Sequence, residues 1–69
     1  MKLSARNVLK GRVLAVTPGA VNVEVVIEIA PGVQVVSIIT KSSAESLGLA
    51  VGKEAYGVVK ASSVMVAVD

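Results

Sequence analysis

"VNVEVVIEI", residues 21–29, decides how the rest of this chain is read. Val21, Val23, Val25, Ile27 and Ile29 recur at every second position, and Asn22, Glu24 and Glu28 fall between them. A period of two puts these sets on opposite faces of a β-strand, one apolar and one wetted. The expectation is therefore a β protein, and the neighbouring segments are read for strands and turns.

On the N-terminal side, "VLKGRVLAV" (8–16) is a second β-rich run. "TPGA" (17–20) joins the two as a turn, with Pro18 at its first central position and Gly19 where φ is positive. On the C-terminal side, "APG" (30–32) turns the chain into "VQVVSIIT" (33–40). This third strand is apolar on both faces, since Val36 and Ile38 oppose Val33, Val35 and Ile39. Burial on two sides in so short a chain points to a partner subunit.

"KSSAESLGL" follows. Ser42 and Glu45 have the spacing of a capping box and Gly48 supplies a stop, which predicts a short helix at roughly 43–47. "AVGKE" leads into a fourth strand at 54–60, an "ASS" corner (61–63) and a fifth strand at 64–68, "VMVAV". The order β-β-β-α-β-β is that of a small five-stranded OB-like barrel, an all-β fold with one short helix. The whole chain, 1–69, is expected to be a single domain.

Of the 69 residues, 54% are hydrophobic, there is no Cys or His, and Tyr56 is the one aromatic. A domain of this size buries only about 60% of its unfolded surface. It has no disulfide or thiolate-bound metal to brace it. So much apolar surface implies an obligate oligomer whose interfaces act as additional core. No run of about 18 uncharged apolar residues occurs, and residues 1–20 lack a signal-peptide pattern, so a cytoplasmic protein without membrane contact is expected.

The missing residue types exclude most chemistry. Without His or Cys there is no Ser-His-Asp or Cys-His arrangement, and zinc or copper sites have no usual ligands. Glu24 and Glu28 lie about 13 Å apart along a strand, too far to act on one bond. No glycine-rich nucleotide loop occurs. The chain is not expected to be an enzyme. A net charge of +2 and a single aromatic also fit poorly with binding nucleic acid.

What remains is a set of hydrogen-bond donors. "SARN" (4–7), "TKSS" (40–43) and "KASS" (60–63) carry one guanidinium, two ammonium groups and several hydroxyls, with no carboxylate among them. In an OB barrel the first and fourth strands are neighbours, so Ser4, Arg6 and Lys60 are expected to converge. A shell of donors suits a fully deprotonated oxyanion, which can only accept hydrogen bonds. The plainer reading stays open here: Ser42 as a helix cap, Ser62 and Ser63 as turn formers, and Lys41 as a solvated tip.

"SARNVLKGRV" (4–13), "SIITKSSAESLGLAVGKE" (37–54) and "VVKASSVMVAV" (58–68) together resemble the Mop family, the molbindins. The resemblance covers nearly the whole chain, with three motifs in order. It implies an OB-like barrel assembled as a homohexamer, a trimer of dimers, that binds molybdate or tungstate at subunit interfaces without an organic cofactor. Carried over by motif, Ser4, Ala5 (through backbone N–H) and Arg6 are oxyanion contacts, as are Lys60 and Ala61. Thr40 and Ser43 match hydroxyl contacts from the neighbouring subunit. The family's second kind of site, on symmetry axes, gains only a guess at the Gly19–Ala20 turn. With one such unit and no DNA-binding or ATPase domain, the implied role is free-standing storage or homeostasis. Two other classes remain: an OB-type nucleic-acid-binding module, and a purely structural oligomerisation domain.

Overall fold

The computed structural model describes residues 1–69. Its elements are β1 (Asn7–Pro18), β2 (Asn22–Ala30), β3 (Val33–Thr40), α1 (Lys41–Leu47), β4 (Glu54–Val59) and a 3₁₀ turn at Ala61–Ser63. The four strands form one antiparallel sheet in the order β3-β2-β1-β4. The sheet curls into a half-barrel, so that grooves are lined jointly by β3 residues (Ser37, Ile39) and β4 residues (Tyr56, Val58).

The period-two pattern of β2 sets the core. Val23, Val25 and Ile27 are buried, together with Val13 of β1. Val21 lies just before the strand and is 70% exposed, so the apolar alternation overshoots the buried stretch at its start. These side chains are all β-branched, stiff at χ1 and well suited to a pleated surface. β1 bulges between Val13 and Ala15, which bends the strand and helps the sheet curl. Gly11 belongs to the same close approach, because a Cβ there would meet the Glu28 carbonyl oxygen.

Several local expectations shift. β1 continues through Pro18, which pairs with Val23, and Gly19 has no positive φ; its N–H instead donates to Asn22 O at 2.7 Å. The next turn behaves as read, with Gly32 at φ 75°. The helix begins two residues earlier than the capping-box spacing suggests. Thr40, not Ser42, is the cap, accepting the Ser43 N–H on its side chain. Gly48 closes the helix in the left-handed region, as the sequence implies.

The OB-like fold class holds, but the fifth strand does not form within one chain. Residues 64–69 join no strand ladder, and Met65, Val66 and Val68 are each about nine-tenths exposed. A strand needs a ladder partner for its backbone groups, and the single chain leaves this segment without one. Only 4 of the 69 residues are buried, and the chain exposes 5287 Å². A compact 7.0 kDa monomer would expose about 4,000 Å².

Candidate oxyanion site

The sheet register places each of the three donor segments. Asn7 pairs with Val59 as the last rung of the β1–β4 ladder. Arg6 and Lys60 are the next residue on each strand, so the ladder itself brings the two cations to one end of the sheet. Ser4 and Ala5 precede Arg6, and Ala61 opens the 3₁₀ turn after Lys60. Ser4, Arg6, Lys60 and Ala61 are exposed, and Ala5 is half-buried. No carboxylate answers Arg6 or Lys60. The one ion pair in the chain is Lys10–Glu54 at 3.4 Å, on side chains 63% and 53% exposed. The pair runs diagonally between β1 and β4, since Lys10 lies opposite Tyr56, and is of small energetic weight.

"TKSS" lies elsewhere. Thr40 pairs with Asn22 at the start of β2, and the neighbouring rung of the sheet is Val23 with Pro18. Thr40 and Ser43 therefore stand at the Pro18 end of β1, while Arg6 and Lys60 stand at the Asn7 end. β1 has 12 residues at about 3.3 Å each, far more than one tetrahedral anion can bridge. Within one chain the structure joins "SARN" to "KASS" and separates both from "TKSS".

The hydroxyls at the helix start are ordered among themselves. Thr40 Oγ1 accepts the Ser43 N–H at 3.1 Å and donates to Ser43 Oγ at 2.8 Å. It also lies 3.2 Å from Ser42 Oγ. With the Thr40 proton committed to Ser43, the Ser43 O–H is left free to donate outward. The helix has only seven residues and buries none of them. Its far end is held by Lys53, whose Nζ donates to Leu47 O at 2.8 Å and Gly48 O at 3.1 Å. The sequence expectation treats Lys53 only as part of the "AVGKE" connection. A lysine five residues after a helix-ending glycine is a weak signal, and only the loop's path makes it meaningful.

The TOBE domain family model matches residues 3–66. A probable molybdenum-pterin-binding protein of Haemophilus influenzae is 48% identical over 69 residues, covering both chains in full. Molybdenum-pterin-binding protein 3 of Clostridium pasteurianum is 52% identical over 66 residues, covering 96% of this chain and 97% of its own. Among solved structures, MopII from Clostridium pasteurianum superposes with a TM-score of 0.90 at 46% identity, covering 97% of this chain and all of that one. A molybdate-binding protein from Sporomusa ovata also gives 0.90, at 33% identity, covering 97% of this chain and 98% of that one. By motif, fold and full-length similarity, this chain belongs to the TOBE-domain family, among the Mop-type molybdenum-pterin-binding proteins.

Proposed function

We propose that this chain binds molybdate or tungstate at the interfaces of a homo-oligomer, and that it stores or buffers the oxyanion in the cytoplasm without catalysis. The observation that carries this reading is the Asn7–Val59 rung, which leaves Arg6 and Lys60 side by side with no carboxylate in reach. Two cations match one dianion. Ser4, the Ala5 and Ala61 backbone N–H groups, and hydroxyls supply the donors that fix its oxygens. Such a shell favours a fully deprotonated oxyanion over one such as monohydrogen phosphate, because its cations and N–H groups can only donate and only its hydroxyls could accept the extra proton. Names of relatives support the ligand: they are described as molybdenum-pterin-binding or molybdate-binding proteins. A further neighbour, ModG, is described as a cytoplasmic molybdate-binding protein, and this chain spans 43% of it.

An interfacial site follows from the separation of "TKSS" from the other two segments. Thr40 and Ser43, at the opposite end of β1, can join Arg6 and Lys60 around one anion if they come from a second chain. The exposed surface points the same way, with roughly 1,200 Å² more than a compact monomer of this mass presents, an excess on the scale of a subunit interface. The unpaired tail 64–69 and the exposed Val36 and Ile38 of β3 are natural parts of such interfaces. The resemblance makes the assembly a hexamer, a trimer of dimers, of single 1–69 domains with no organic cofactor, nucleic acid or membrane partner.

The test is calorimetric titration of the purified protein with molybdate and tungstate, repeated in excess sulfate, together with diffraction from tungstate-soaked crystals. Saturable binding that survives sulfate, with heavy scatterers between subunits beside Arg6 and Lys60, is expected. Equal competition by sulfate, or scatterers away from these residues, would remove the reading.

A further inference from the structure

We infer that Lys53 is a positioning residue for the oxyanion site, acting through α1 on the Thr40–Ser43 pair; this rests on the proposed role of that pair. The reasoning starts from the helix. Seven residues with none buried cannot hold a helix by themselves in water, where nucleation is costly and isolated helices under about 12 residues are marginal. Ala44 packs against the core, and the two ends supply the other restraints. Thr40 caps the first end, and Lys41 N–H donates to Val21 O at 3.1 Å.

The second end is tied to the core through Leu49, which packs against it and donates its N–H to Ala44 O at 3.2 Å, and through Lys53. The Lys53 carbonyl accepts the N–H of Val13, a core residue only 1% exposed, at 2.9 Å. Gly52 N–H donates back to Val13 O at 2.8 Å, in a turn that requires φ 89° at Gly52. From this fixed backbone the Lys53 side chain returns to the helix and donates to the carbonyls of Leu47 and Gly48. Those groups have no helical partner, and a cation there also complements the helix dipole. No basic residue in the helix's own last turn performs this task. Lys53 thus links the bulged part of β1 to the helix whose first turn presents Ser43. It touches no oxyanion contact named above, so its effect is on geometry.

The experiment compares molybdate affinity by calorimetry in the assembled full-length protein. Lys53→Met keeps the apolar stem and removes the donors; Lys53→Arg keeps charge and donors. Each is made alone and in a Thr40→Ala/Ser43→Ala background, with circular dichroism confirming the fold. The expected result is a roughly fivefold loss of affinity in Lys53→Met, recovery in Lys53→Arg, and no further loss from Lys53→Met once Thr40 and Ser43 are gone. Such non-additivity identifies residues acting through one element. Unchanged affinity in Lys53→Met, while Thr40→Ala/Ser43→Ala weakens binding, overturns the Lys53 assignment alone. An equal loss in both backgrounds also overturns it, since that is long-range charge and not helix positioning. If Thr40→Ala/Ser43→Ala leaves affinity intact, the Thr40–Ser43 reading itself falls, and the positioning role with it.

Discussion

Thr40 and Ser43 are bonded twice: the Thr40 hydroxyl accepts the Ser43 N–H at 3.1 Å and donates to Ser43 Oγ at 2.8 Å. One side chain therefore starts the helix and orients the hydroxyl that follows. The two roles can be separated by substitution. Thr40→Ser keeps both bonds, whereas Thr40→Ala removes both. We expect Thr40→Ala to cost about 1 kcal/mol of stability, the usual value of a lost helix cap, and Thr40→Ser to cost little. Denaturant titration of the assembled protein checks this; equal stability of the two variants would contradict the cap.

Arg6 and Lys60 lie one step beyond the Asn7–Val59 rung and lack a carboxylate partner. Arg6→Ala and Lys60→Ala should each weaken molybdate binding at least ~10-fold, equivalent to about 1.4 kcal/mol. Because neither cation supports the apo fold through an ion pair, the unliganded melting temperature should change little. Calorimetry and differential scanning measurements on the same samples read both quantities. Wild-type affinity in Arg6→Ala would remove that residue from the site.

At Gly11 an added Cβ would collide with Glu28 O, a backbone atom that cannot swing away. Gly11→Ala should destabilise the protein by about 1–3 kcal/mol, the range for overpacking. Gly32→Ala tests a different cause. Nothing lies within 4 Å of the added carbon there, so any loss comes from the positive φ alone. Thermal unfolding should rank Gly11→Ala as the more damaging substitution.

The tail 64–69 has no partner in the single chain, yet Val64, Met65, Val66 and Val68 are apolar. If it completes a sheet in the assembly, Val66→Pro removes a ladder donor and should shift the oligomer toward smaller species. Light scattering across a dilution series measures this. An assembly size indifferent to Val66→Pro and to deletion of 64–69 would exclude the tail from the interface.

Ligand bound between subunits stabilises the assembled state by mass action. At 100 times the dissociation constant the gain is about 2.7 kcal/mol per site, so the melting temperature should rise with molybdate. A melting temperature that stays constant through saturation would count against interfacial sites.

Much of the fold was legible in the chain itself. The alternation of β2 put Val21, Val23, Val25, Ile27 and Ile29 on one face, and the middle three of them are buried, because a two-residue period fixes the face but not where burial begins and ends. Gly48 marked the helix end, since a left-handed terminus favours glycine. The helix start was misplaced by two residues because Thr40, Ser42 and Ser43 can all cap. Which of them does so depends on where β3 lets go of Asn22, a tertiary matter. Gly19 looked like a positive-φ turn residue, but β1 runs on to pair Pro18 with Val23 and closes the turn another way.

For the candidate site, the sequence by itself supplied the chemistry: donors without carboxylates in three segments, in a chain with more apolar residues than it can bury. Residue types determine which hydrogen bonds can be given, so this required no coordinates. The strand order also led to the expectation that Arg6 and Lys60 converge, and the β1–β4 register puts them one step beyond the Asn7–Val59 rung. Only the tertiary structure decided that the length of β1 keeps Thr40 and Ser43 away from both. The role of Lys53 likewise came from the path of its loop, which returns an exposed side chain to carbonyls five and six residues earlier. Spatial convergence arises from strand pairing between distant parts of the chain, and pairing is decided by the fold as a whole.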